Sequence, residues 1–267
     1  MGAAVGRRLA DNGVKVLTTL EGRGAASEAR AVAAGMQAVS VDRLADADLI
    51  LSIVPPGVSI AFAEQMVAAL RAAPRKPVFV DCNAVSPETV LRIGAIVEAT
   101  GAPFVDSGII GPPPGSPSSE PTFYASGPHA PRFAALADHG LNIRVLEGPI
   151  GAASALKMCF AGIAKGYTAV GTAMTLAAIR AGAADALHAE LAAREPAALA
   201  ALNRKVPDMI PKAYRWVAEM QEIAKFLAPD GTGEIYEGAA AVYARVAEAL
   251  ANGDADIEAL KAFYAPR

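Results

Sequence analysis

The strongest constraint on this chain is an alternation that stops. Up to about residue 150, short β-branched runs of strand length take turns with helical patterns. The strand-like runs are "VKVLTTL" (14–20), "QAVSV" (37–41), "LILSIV" (49–54), "PVFVDC" (77–82), "APFVDSG", "TFYASG" and "NIRVLEG". Between them lie helical patterns over "AASEARAVAAG", 59–72 and 88–100, the last opened by Pro87 at a position a helix start tolerates. Such alternation predicts an α/β, Rossmann-type, doubly wound and mostly parallel sheet with right-handed crossovers. From Gly151 no convincing strand remains. Helical patterns run to Tyr264, with breaks at Pro196, Pro207, Pro229-Asp230-Gly231 and Asn252-Gly253. The first of them, from Ala152 to about Ala181, spans roughly 45 Å at the standard rise. The expected domains are therefore 1–150, α/β, and 151–267, all-helical.

Bulk chemistry excludes several function classes. With 53% hydrophobic and 19% charged residues, the chain is not composed for disorder. A net charge of −3 gives no steering towards nucleic acid or an anionic membrane. Cys82 and Cys159, far apart and each in an apolar run, read as reduced core residues of a cytoplasmic protein. His129, His139 and His188 lack metal-ligand spacing, so no metal is expected. Arg7 and Arg8 interrupt any signal-peptide pattern. The uncharged stretch 166–179 falls short of the about 20 residues a bilayer needs, so a helix apolar all round there belongs in a core or a subunit interface.

The opening is unusual: "MGAAVGRRLADNG" is a helix, stopped at Asn12-Gly13, that feeds a strand with no strand before it. A doubly wound nucleotide domain opens strand, G-x-G-x-x-G, helix, strand, with pyrophosphate on the helix N-terminus. On that template Gly2 takes the place of the third glycine. Glu21, 19 residues on, ends the next strand near the place of the ribose-reading acid. The first strand and two glycines are then expected upstream of Met1. In "EGRG", Glu21 can take ribose hydroxyls, while Arg23 with Ser27 offers a pocket for a 2′-phosphate. The pair favours NADP, with NAD possible.

"MGAAVGRRLADNGVKVL", "LSIVPPG", "VDCNAVSP", "FVDSGIIGPPPG" and "GPIGAASALKMCFAGIAKG", in this order and spacing, resemble the β-hydroxyacid dehydrogenases, relatives of 6-phosphogluconate dehydrogenase. The resemblance covers residues 1 to about 185. The tail "PKAYRWVAEMQEIAKF" is similar to a less characterised branch with its own helical C-terminal domain. The resemblance implies that the Val54-Pro55-Pro56 loop lines the nicotinamide end of the cofactor. Asn83, at the end of the neighbouring strand, is placed to meet the nicotinamide ribose. The family's substrate motif D-x-P-V-S-G-G is matched at Asp106 and Gly111, but Ile110 stands at the serine and Pro112 at the last glycine. Ser107, Gly108, Ile110 and Gly111 are thus expected beside the substrate, in an altered site.

In the motif G-x-G-x-x-x-K-x-x-x-N, Lys157 matches the lysine that exchanges the substrate's hydroxyl proton, while Ala161 replaces the asparagine. Desolvation moves a lysine towards the range useful for general acid/base work. Lys165, at i+8, shares its helix face and is expected at the substrate as well. A plainer reading stands beside each: strand-stopping prolines, turn chemistry at Asn83, a Pro-rich surface loop over 112–121, a salt-bridged Lys157. Trp216, Met220, Ile223 and Leu227 read as core or interface packing. Relatives pair through the helical region, which implies a homodimer. The reading is an NAD(P)-dependent oxidoreductase acting on a small hydroxy acid or related alcohol or carbonyl. Two alternatives remain: an imine-reducing enzyme on the same scaffold, whose members usually lack the lysine, and a non-catalytic protein without cofactor binding.

Overall fold

The computed structural model describes residues 1–115 and 120–265, so part of the Pro-rich loop over 112–121 lies outside the described residues. The chain divides into two compact units, Met1–Met158 and Cys159–Arg267.

In the first unit the order is α1 (Gly2–Asp11), β1 (Leu17–Thr18), α2 (Ala25–Ala33), β2 (Gln37–Ala38), α3 (Val41–Leu44), β3 (Leu49–Ser52), α4 (Ser59–Ala72), β4 (Val78–Asp81) and α5 (Pro87–Glu98). There follow β5 (Phe104–Ile110), β6 (Thr122–Ser126), α6 (Ala130–Ala134), β7 (Asn142–Val145) and the start of α7 (Ala152–Arg180). β1 and β2 form a parallel pair, and β3-β4-β5-β6-β7 form a five-stranded sheet in that order. The larger sheet is parallel except between β5 and β6, which are antiparallel. The described residues between those two strands hold no helix, and an antiparallel neighbour needs no crossover.

β4 is buried along its whole length, as a central strand covered on both faces must be. Its period of two divides the core. Phe79, with Phe104 of β5, packs against Met66 and Leu70 of α4 and Val90, Ile93 and Val97 of α5. Val78 and Val80, with Val105 and Phe123, face Val5 and Leu9 of α1 and Phe133 of α6. α5 begins as its sequence dictates: the Ser86 hydroxyl accepts from the Thr89 N–H at 3.2 Å, and Pro87 follows where no N–H is needed.

The second unit continues α7 and adds α8 (Ala184–Arg194), α9 (Pro196–Met209), α10 (Ala213–Leu227), α11 (Glu234–Asn252) and α12 (Ala255–Phe263). No strand occurs among its described residues. Met209, Met220, Ile223, Tyr243, Val246 and Leu260 are its buried centre.

Three expectations are corrected. Pro207 does not break the helix; it sits in the last turn of α9, and the break comes three residues on, at the 3-10 turn Ile210–Lys212. In that last turn the proline removes the N–H that would bond the Asn203 carbonyl, and the helix ends two residues later. Cys159 is exposed, unlike buried Cys82, because the apolar pattern of α7 does not stop at the covered face. The strand expected over 14–20 is only Leu17–Thr18, the part that meets β2.

Candidate active site

Strand register assembles a polar row that no stretch of sequence contains. Ser52 of β3 pairs with Asp81 of β4, Asp81 with Asp106 of β5, and Asp106 with Ser126 of β6. All four are buried. β3 and β4 end on this row while β5 runs on to Ile110. Beyond it lies the carboxyl edge of the parallel strands, where open α/β sheets bind ligands.

The loop after β3 carries Val54, half-buried, exposed Pro55, and Pro56, which opens a 3-10 turn, Pro56–Val58. Asn83 ties this loop to the row. Its Oδ1 accepts the Val54 N–H at 2.7 Å, and its Nδ2 donates to Asp81 Oδ1 at 2.6 Å and Ser52 Oγ at 2.8 Å. Both amide hydrogens are thus committed within the protein. Asn83 shapes the loop rather than reaching out with its amide hydrogens. Burial pushes Asp81 from the usual carboxylate range up to about 7; the Asn83 hydrogen bonds pull it back, and neighbouring Asp106 pushes it further up. Burial likewise drives the Cys82 thiol well up, with Asp81 adding to the effect.

Asp106 anchors the start of α7. Its Oδ2 accepts from Gly151 N at 2.9 Å, Ser154 N at 3.1 Å and Ser126 Oγ at 3.0 Å, and its Oδ1 accepts from Ser154 Oγ at 2.7 Å. A carboxylate against the first N–H groups of a helix complements both their unused donors and the helix dipole. Gly108 makes the approach possible. A Cβ there would lie 2.8 Å from Ala153 O and 2.9 Å from Lys157 Cβ, so only glycine lets α7 lie this close to β5. Half-buried Lys157 therefore emerges directly over Gly108, two residues beyond the polar row.

Ser107 and Gly108 are buried within β5, and Ile110 is its last residue, paired with Thr122. Gly111 is exposed at φ +122°, a backbone that favours glycine.

Gly2 opens α1 beside Ile53, just past β3, its Cβ position 3.7 Å from Ile53 O. The Glu21 carboxylate accepts from Val41 N at 3.1 Å, and Ser27 Oγ accepts from Arg30 at 2.8 Å, while Arg23 lies exposed between β1 and α2.

Lys165 belongs to the second unit. Its ammonium pairs with Glu219 and lies 4.6 Å above the Trp216 ring, and its carbonyl accepts from Tyr243 Oη at 2.6 Å. Burial pushes the Tyr243 phenol up, with Glu219 adding to it. The sequence singled out Lys165 and Trp216 but not Glu219, whose signal is a carboxylate on the apolar side of α10, one residue before fully buried Met220. Asp81 and Ser126 were also missed; Asp81 closes an otherwise apolar strand, and Ser126 closes β6.

Residues 1–137 match the family described as the NAD binding domain of 6-phosphogluconate dehydrogenase. The chain belongs to that family. Membership places it among NAD(P)-dependent oxidoreductases with this fold. Residues 178–246 match a Domain of unknown function (DUF1932).

No curated protein matches the chain. Among solved structures, a conserved protein of unknown function, described as structurally similar to 3-hydroxyacid dehydrogenases, is 28% identical; the match covers 94% of this chain and 95% of the other at a TM-score of 0.69. The Mycobacterium tuberculosis 3-hydroxyisobutyrate dehydrogenase with L-serine is 20% identical, covering 99% and 96% at 0.73. A Streptomyces aurantiacus imine reductase is 19% identical, covering 99% and 96% at 0.53. No helix among the described residues is long and apolar enough to cross a membrane, and no metal-holding group of His, Cys, Asp or Glu occurs among them.

Proposed function

We propose that the chain is a dehydrogenase or reductase acting on a small hydroxy acid or a related alcohol or carbonyl, with Lys157 as its general acid/base. The observation that carries this reading is the placing of Lys157 over Gly108, beyond the carboxyl ends of β3 and β4, in the unit that also holds the Val54 loop. When bound, the nicotinamide supplies or accepts the hydride. Val54, Pro55 and Pro56 hold its ring end, with Asn83 fixing their backbone. Lys157 gives a proton to, or takes it from, the reacting oxygen, and Gly111 with Ile110 offers backbone groups to the substrate. A screen of small hydroxy acids, ketones and cyclic imines with NADPH and NADH, followed by nicotinamide absorbance, tests it. Turnover of imines alone would select the imine-reducing alternative.

NADP is the favoured cofactor. Val41 N already occupies one Glu21 oxygen, and Arg30 brings a guanidinium beside Ser27, four residues after Arg23 in sequence. Arg23→Ala is expected to weaken NADPH about 10-fold or more, the scale of one charge-assisted hydrogen bond, while leaving NADH affinity little changed. Equal loss for both dinucleotides in a binding titration would reject the assignment.

The protein acts as a homodimer through its second unit. Phe160, Ile163, Tyr167, Val170 and Met174 are exposed on α7 and spaced 3, 4, 3, 4, the spacing of a two-helix seam. Ile235 extends the patch beside Ile163 and Tyr236, across a cleft between α7 and α11. Exposed apolar area of this continuity marks a protein interface. Light scattering should give about twice the 27.2 kDa chain mass, and Ile163→Glu with Val170→Glu should return it to one. A wild-type monomer at micromolar concentration would exclude the dimer.

A further inference from the structure

We propose that Asp81 is a positioning residue: it sets the Val54 backbone N–H, and with it the loop over 53–57, through the side-chain amide of Asn83. The geometry leaves Asn83 one orientation. The Val54 N–H is a donor 2.7 Å away, so the amide oxygen must face it, and Nδ2 must then face Asp81 and Ser52. Asp81 holds Asn83 at two points, accepting from Nδ2 at Oδ1 and from the backbone N–H at Oδ2, 3.3 Å away. Both contacts need acceptor oxygens.

A proton on Oδ2 turns an acceptor towards the Asn83 N–H into a donor. A proton on Oδ1 opposes Nδ2; it is met by turning the amide, which would put Nδ2 against the Val54 N–H, or by Ser52 Oγ, which then turns away from Nδ2. Either way, protonation of Asp81 loosens the Val54 bond. The ionised carboxyl fits its donors, while burial opposes the charge, so the exchange falls near neutrality. The ionisable groups that bear on Asp81 among the described residues are Asp106, in register on β5, and the Cys82 thiol, which burial keeps protonated through this range. Asp106 is already enclosed by donors from Gly151, Ser154 and Ser126, and so does not replace Asp81 as acceptor for Asn83. The sign follows. Above the midpoint Asp81 is ionised and the Val54 bond is short; below it the bond lengthens.

The consequence for dinucleotide binding rests on the reading that this loop lines the nicotinamide end. The deciding measurement does not. In ¹⁵N- and ¹³C-labelled protein, the Asp81 carboxyl resonance and the Val54 amide are followed from acid to alkaline pH. The expected result is one shared midpoint near neutrality, with the Val54 proton moving upfield on acidification and its exchange with water accelerating. Asp81→Asn should abolish the Val54 titration. The wild-type titration stands without that variant, should Asp81→Asn fold poorly. A Val54 amide that stays still while the Asp81 carboxyl titrates overturns the proposal, as does an Asp81 carboxyl with its midpoint in the ordinary carboxylate range. NADPH titrations at the two pH extremes then address the loop's role. Weaker binding below the midpoint in the wild type, absent in Asp81→Asn, extends the relay to the cofactor. pH-independent binding beside a titrating Val54 rejects the nicotinamide reading of the loop and leaves the relay standing.

Discussion

Replacing Asp106 with alanine is expected to destabilise the first unit by about 3 kcal/mol or more, because several buried donors lose their acceptor together. Gly151 N, Ser154 N, Ser154 Oγ and Ser126 Oγ all converge on its carboxylate. Ser126 Oγ also accepts from Ala153 N at 3.0 Å, so the loss spreads to a third N–H of the same helix start. Each orphaned donor costs about 1–3 kcal/mol when water cannot replace the partner. Some of this is returned, since removing one of two carboxylates in register relieves Asp81. Asp106→Asn keeps one acceptor but turns an NH₂ towards donors, so its loss should be intermediate. A chain of two units need not unfold in one step, so the local readout is hydrogen exchange at Ala153 and Ser154, with calorimetry for the first unit's transition. An alanine variant that loses less than about 1 kcal/mol, with those amides still protected, would mean that the carboxylate does not hold α7.

Asp106 also shows where reading the sequence succeeds and where it stops. The resemblance picked it out as part of a substrate motif, whereas its bonds all run to the sheet and the helix start. That use depends on Gly151 and Ser154, 45 and 48 residues away, and on Ser126 across an antiparallel pair. Strand existence was legible because a strand covered on both faces reads as an apolar run, as Val78–Val80 does in β4. The bounds of α4 were legible for a similar reason: prolines precede it and a charged, proline-rich turn follows. Strand direction was not, because "TFYASG" reads the same either way along the sheet. α3 and α6 were missed because one helical turn has no period to detect. The Ser52–Asp81–Asp106–Ser126 row is a product of register alone, and register is set by the whole sheet. Asn83 was found as a residue but given an outward task, since nothing local reveals that Val54 and Ser52 stand beside it. Glu219 was invisible as the partner of Lys165 because 54 residues separate them.

Lys157→Met is expected to lower turnover by about 10² or more, the scale on which a general acid/base acts, while fold and dinucleotide affinity persist. Methionine keeps the unbranched stem at the place where Lys157 Cβ packs over Gly108, so the close approach of α7 to β5 survives. What disappears is the ammonium proposed to exchange a proton with the substrate. Lys165→Met forms the contrast, and the structure says why it should fail differently. It removes the cation from a pair whose side chains are 17% and 10% exposed, leaving the Glu219 charge enclosed beside Trp216 and Tyr243. Breaking such a pair from one side costs about 3 kcal/mol or more, so Lys165→Met should show a lowered melting temperature before any question of chemistry arises. Lys165→Met with Glu219→Gln should recover part of that stability. Steady-state rates on the best substrate, thermal melts and NADPH titrations of the variants separate the two roles. Full activity in Lys157→Met would end the proton-transfer assignment. A melt unchanged in Lys165→Met would show that its ion pair holds α7 to α10 far less than its burial implies.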